Sequence, residues 1–186
     1  MSDTRPGSTT QPDESDGRHD FDFIFGTWRV HNHKLRDAAD RDCTDWVDFE
    51  TRSHAEPILG GLAHTDRIVC GPGSPHGDWE GFTLRQFDPA RRLWRIWWAS
   101  TKAPGRLDPP LAGRFEAGIG NFVGDDVVDG RPIKVRFEWT SPSTDRARWS
   151  QAFSWDDGRS WRLNWIMEFA RDDAGVPTWL VDLPGG

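Results

Sequence analysis

From Asp20 to Arg171 the chain is a succession of short runs rich in Val, Ile, Phe, Trp and Thr, punctuated at hairpin spacing by Gly, Pro and Asp clusters. Such runs read as consecutive β-strands. Ten are predicted, roughly at 27–36, 45–55, 62–70, 79–87, 92–101, 110–117, 120–127, 132–140, 145–154 and 160–170. Turn-forming residues sit at the joints: Asp88-Pro89, Gly118 with Gly120, Asp129-Gly130, Ser141-Pro142-Ser143 and Asp157-Gly158. No long helical periodicity interrupts them, so the chain predicts an all-β, antiparallel up-and-down meander. An open sheet of that size exposes two unpaired edges, whereas closure into a barrel removes them and leaves an interior of ligand size.

Alternation assigns the faces. In 132–140, Ile133, Val135, Phe137 and Trp139 alternate with Lys134, Arg136 and Glu138; in 160–170, Trp161, Leu163, Trp165, Met167 and Phe169 alternate with Arg162, Asn164 and Glu168. The inner wall is therefore expected to be aromatic. Strand 145–154 adds Ala147, Trp149 and Phe153 but places Gln151 among them, and strand 45–55 sets Thr51 and Ser53 in line with Val47 and Phe49. A buried amide needs partners, so Gln151 meets a neighbouring side chain, water or a ligand.

Residues 1–19, polar and without an aromatic, read as a disordered leader. Residues 20–171 make one barrel domain and 172–186 a C-terminal tail. The balance of 30 acidic against 23 basic residues, a net charge of −7, argues against a partner with a phosphate backbone, so nucleic acid is not expected. No apolar run approaches a bilayer span and residues 1–19 hold no signal-peptide core, which predicts a cytoplasmic protein without a membrane partner. Two cysteines, Cys43 and Cys70, make no disulfide framework. The outlying numbers are 12 Trp and 11 Phe with no Tyr: large apolar rings must line something.

Phe25-Gly26-Thr27-Trp28 opens the first strand, and a G-x-W at that place resembles the signature of lipocalins and the wider calycin group. The resemblance implies a lipocalin-like barrel whose Trp closes the bottom, with a basic residue from the end of the last strand packed across it. Ten antiparallel strands put Arg171 in that place, beside Trp28. Longer strings are similar to a family of bacterial proteins defined only as a domain of unknown function: Phe21-Asp22-Phe23 leading into Gly26-Thr27-Trp28-Arg29-Val30, Leu59-Gly60-Gly61, Arg106-Leu107-Asp108-Pro109-Pro110, Gly124-Asp125-Asp126, Asp129-Gly130-Arg131-Pro132-Ile133, Gln151-Ala152-Phe153-Ser154 and Asn164-Trp165. That likeness covers about residues 20–171 and implies the same fold, with no reaction and no catalytic residue attached to it.

His31-x-His33 with Asp37 resembles the metal-binding spacing of cupins, but alternation from Trp28 and Val30 turns both imidazoles outward and no second motif supplies the remaining ligand. His64 with Asp66 and His54 with Glu56 repeat the spacing without completing a site. No metal or cofactor is expected. G-x-S-x-G, P-loop and dinucleotide motifs are absent. Acid–base chemistry needs only one or two poised groups in a dry pocket, and His31, Glu80, Asp125 and Glu138 are candidates near a barrel mouth, set against the plain reading of outward solvated charges. Arg106 to Pro110 lies in a long Pro/Gly connection after Trp97 and Trp98 and reads as a lid over an opening or as a structural corner.

Three functions compete on this evidence. The first is a binder of a small apolar or aromatic molecule in the lumen, with Trp98, Phe137, Trp149 and Trp165 as walls and Asn32, Thr51 and Gln151 as polar handles. The second is a cofactor-independent cyclase or isomerase of bacterial secondary metabolism that uses the same lumen to fold its substrate. The third is a solid aromatic core, with function at a surface or a homodimer interface.

Overall fold

The computed structural model describes residues 16–172. Residues 173–186 of the expected tail and 1–15 of the expected leader lie outside that span, while residues 16–19 are placed in bends and turns at one end of the fold. Ten strands follow: β1 (Gly26–Leu35), β2 (Trp46–Ile58), β3 (Ala63–Cys70), β4 (Trp79–Asp88), β5 (Leu93–Ser100), β6 (Leu111–Glu116), β7 (Ile119–Val128), β8 (Arg131–Ser143), β9 (Arg146–Ser154) and β10 (Arg162–Arg171). Each pairs antiparallel with its chain neighbour and β10 returns to β1, from Trp28 opposite Arg171 to Lys34 opposite Trp165, so the barrel is closed.

Tight hairpins form where the sequence supplies residues that tolerate positive φ. Asp129 and Gly130 adopt φ of 50° and 73° between β7 and β8, the two-residue geometry that matches strand twist. Between β6 and β7 the turn is Ala117-Gly118 rather than the expected Gly118 with Gly120. Gly120 lies within β7 instead, where a Cβ would fall 2.6 Å from the Phe115 ring.

One end of the barrel is sealed from inside by the segment that precedes β1. Phe21, fully buried, leads into a 3-10 turn (Asp22–Ile24) and points its ring at Trp94, Phe115, Phe122 and His64, with centroids 4.9 to 5.4 Å apart. Trp94 Nε1 donates to the Gly17 carbonyl at 2.9 Å and Trp28 Nε1 to that of Ile24 at 2.7 Å. The Arg171 guanidinium lies 3.8 Å above the Trp28 ring, as the sequence predicts, and its nitrogens donate to the carbonyls of Phe23 and Phe25. A cation over an indole and charge-assisted bonds to carbonyls both strengthen when shielded from water.

The predicted alternation holds on β8 and β9 and is broken once on β10. Against β9 the register shifts between Leu163 and Trp165, a β-bulge. Leu163 consequently turns outward and is 39% exposed, whereas Asn164, expected outside, is completely buried. Trp161 precedes the strand and lies under the Arg136 guanidinium, 4.7 Å from it, instead of entering the lumen. Trp165, Met167 and Phe169 keep their inward places beyond the bulge.

Candidate functional site

Above the sealed end the inner walls separate around a cavity of about 240 Å³. Trp98, Phe137, Trp149, Phe153 and Trp165 form its upper walls, with Met167, Phe169 and Trp139 below them. The rings brace one another edge to face: Trp149 stands 4.9 Å from Phe137 and 5.3 Å from Trp165, at 65° and 84°. Trp98 lies flat against β4 because residue 81 is glycine; a Cβ there would fall 2.0 Å from the indole. The four rings expected from the sequence, Trp98, Phe137, Trp149 and Trp165, thus meet around one space, and the solid-core reading does not describe this lumen.

The opening follows from a short strand pairing. β5 and β6 pair only over Trp94 to Ile96, opposite Gly113 to Leu111. The rest of β5 has no β6 partner, and the connection 101–110 folds back there, with the Asp108 amide donating to the Trp98 carbonyl at 2.8 Å. Asp108 and Pro109 border the cavity, so the Pro-rich connection does rim an opening. Arg106 spans it by donating to Asp108 at 2.7 Å and to Asp126 of β7 at 2.6 Å. Burial raises the Asp108 carboxyl above its ordinary range; Arg106 opposes that shift and Asp126 adds to it.

The polar handles are distributed differently from expectation. Gln151 lines the cavity and its Nε2 donates to Asn164 Oδ1 at 2.8 Å, an interaction made possible by the bulge that turned Asn164 inward. Asn164 Nδ2 has no partner among the described residues. Asn32 and Thr51, proposed from sequence as handles, are instead spent on the wall. Asn32 Nδ2 donates to Thr51 Oγ1 at 2.9 Å and to the Val30 carbonyl at 3.1 Å, and its Oδ1 accepts from Trp165 Nε1 at 3.0 Å. Both are buried behind Trp165 and fix the tilt of its ring.

The four acid–base candidates all lie on the outer surface, because each falls on the outward phase of its strand. His31 donates to Glu50 at 2.7 Å, a bond that raises its pKa above the usual imidazole value, and it approaches Asp48 as well. Glu80 accepts two bonds from Arg67, both 2.6 Å long. Asp125 accepts from Lys134 at 2.9 Å. Glu138 stands opposite Asn121 and Ser150 in the sheet. His33 also points outward, bonded to Asp48 and stacked on Trp46 with centroids 4.4 Å apart, and no group of three or more metal-ligating side chains occurs among the described residues.

Two charged residues enter the lumen that the sequence did not place there: Asp66, weighed only beside His64 as a metal-ligand spacing, and Arg85, which no motif singled out. Asp66 of β3 and Arg85 of β4 form an ion pair with side chains only 8% and 5% exposed, and both border the cavity. Their signal was available: Asp66 shares its phase with Ile68 and Cys70, and Arg85 with Trp79 and Phe87. Nearby, but outside the cavity wall, His64 is completely buried with neither ring nitrogen hydrogen-bonded among the described residues; burial, helped by Arg85, drives its pKa down to about 2. Lys34, inward on β1, sits 3.9 Å above the Trp165 ring, and burial followed by repulsion from Lys102 lowers its pKa to about 8.

No protein-family model and no curated protein matches this chain. Among solved structures it is similar to a redesigned beta barrel at 11% identity and a TM-score of 0.44, covering 82% of this chain and 94% of that one.

Proposed function

We propose that this protein binds a small apolar or aromatic molecule inside the barrel. The observation that carries the reading is the 240 Å³ space walled by aromatic rings and reached from one side. Apolar walls with a few placed polar groups are the usual composition of a small-molecule site. An apolar cavity of about 150 Å³ admits benzene, so this one suits a molecule of roughly two fused rings. The barrel is read as lipocalin-like, which the Arg171 contact across Trp28 supports. No placement favours the cyclase or isomerase alternative, since His31, Glu80, Asp125 and Glu138 face away from the lumen.

The test is a titration of the tryptophan fluorescence with naphthalene. Trp98, Trp149 and Trp165 should be quenched saturably with one-site stoichiometry, and Gln151→Leu, which leaves the buried Asn164 Oδ1 without its donor and so should cost about 1–3 kcal/mol of stability, should bind it with little change, since naphthalene makes no use of the amide. Fluorescence that stays unchanged up to the solubility limit of naphthalene would remove the reading.

A further inference from the structure

The Asp66–Arg85 pair is hard to explain by folding alone. Two charges withdrawn from water usually stabilise a fold no better than apolar side chains of the same shape would. Yet the pair stands in the wall of an otherwise aromatic cavity. The guanidinium lies over two rings, its Cζ 5.3 Å from the Phe21 centroid and 5.1 Å from that of Trp139. Of the five N–H donors an arginine carries, one goes to Asp66, and Nε has no partner among the described residues. The carboxylate in turn keeps acceptor capacity that a single bond does not fill. A strong donor and a strong acceptor therefore lie side by side at one point of the lumen.

Charge narrows what can meet them. Of the charged side chains that border the cavity, Asp66, Asp108 and Asp126 face Arg85 alone, while Arg106 crosses the mouth and Lys34 lies over the Trp165 ring outside the lining, so the surface that meets a ligand carries more carboxylates than cations. An anion would be repelled by that excess and would compete with Asp66 for Arg85. A neutral hydroxyl accepts and donates through one oxygen and leaves the pair intact. Taking the lumen as the binding site proposed above, we infer that its ligand is a neutral hydroxyarene, a phenol of about two rings, whose hydroxyl accepts from Arg85 and donates to Asp66 while its rings pack among Phe137, Trp149 and Trp165.

Equilibrium dialysis of the full chain at pH 7 against naphthalene, 2-naphthol and 2-naphthoate tests this. The hydroxyl should tighten binding at least tenfold over naphthalene, within the range of hydrogen bonds to charged groups. 2-Naphthoate should bind more weakly than 2-naphthol. Equal binding of naphthalene and 2-naphthol would overturn the inference and leave the lumen site standing; binding of none of the three would remove both; strongest binding of 2-naphthoate would make the pair an anion site and overturn it as well. Asp66→Leu combined with Arg85→Met, which removes both charges together, should erase the preference for 2-naphthol over naphthalene whatever its absolute affinity for either, and should still fold, since replacing both partners of a buried pair by apolar groups is well tolerated. A preference that survives in that variant overturns the assignment. If the double variant does not fold, 2-methoxynaphthalene against the unaltered chain decides: blocking the donated proton should weaken binding at least fivefold, and undiminished binding overturns the inference.

Discussion

The two ends of the barrel are built from the same residue types and behave differently. At the sealed end Phe21, Trp28, Trp94 and Phe122 are at most 1% exposed. At the other, Trp98 and Phe137 keep part of their surface open to a cavity and Gln151 stands among them. Aromatic content alone does not separate core from lining. What separates them is a second layer: residues 16–25 fold across one end and bury Phe21 and Ile24 there, while at the other the connection 101–110 only borders the opening. Stability should therefore reside in the first end and ligand recognition in the second.

The sharpest way to break that division is to empty the plug. Phe21→Ala removes a ring packed against at least five others, and denaturant unfolding should show a loss of about 3–5 kcal/mol, the range for a large aromatic truncated in a core. A loss under 1 kcal/mol would mean that the plug is an ornament of the barrel rather than its core.

Acid should act at the same end. His64 has a folded-state pKa depressed to about 2, so between its unfolded value near 6.5 and that point the unfolded chain holds the extra proton. Stability then falls as pH drops through this window, by up to about 1.4 kcal/mol per pH unit from this residue. His64→Leu should flatten the curve between pH 6 and pH 4 by roughly 2 kcal/mol, measured by denaturant midpoints across that range. An unchanged slope would place the acid sensitivity elsewhere.

Arg171→Ala comes next, at about 2 kcal/mol, from the lost contact with Trp28 and the two freed carbonyls. Arg171→Lys should recover only part, because an ammonium cannot both cover the indole and reach Phe23 and Phe25. The smallest effect on stability belongs to the mouth. Arg106→Ala should cost under about 1 kcal/mol, as partly exposed pairs do, yet stopped-flow quenching should show faster entry and release of naphthalene. An Arg106 variant that unfolds the protein would erase the contrast between the ends.

Period-two alternation was enough to read the strands, the closure and the aromatic wall from the sequence, and hairpin residues located most of the turns. Long-range pairings were less legible. Asn32 looks like a handle until β10 is laid beside β1 and Trp165 Nε1 claims its oxygen. Asn164 looks solvated because a bulge shifts phase without leaving a mark in the composition. Asp66 and Arg85 were visible by phase, but a charge on an inward position is ordinarily dismissed until its opposite appears on the adjacent strand, and that adjacency belongs to register. The plug residue Phe21 falls outside every strand and carries no periodicity at all.

Closure joins Trp28 to Arg171 across nearly the whole described chain. The contacts that complete the ring are thus the most distant in sequence, the kind that must overcome the largest chain entropy before they return anything and that slow folding most. Until β10 has been synthesised, β1 and β9 present bare edges to the surrounding solution, open to pairing with other chains. The guanidinium that caps the indole is accordingly the last piece of the meander to arrive, and its arrival ends the interval in which a nascent barrel is most exposed to aggregation.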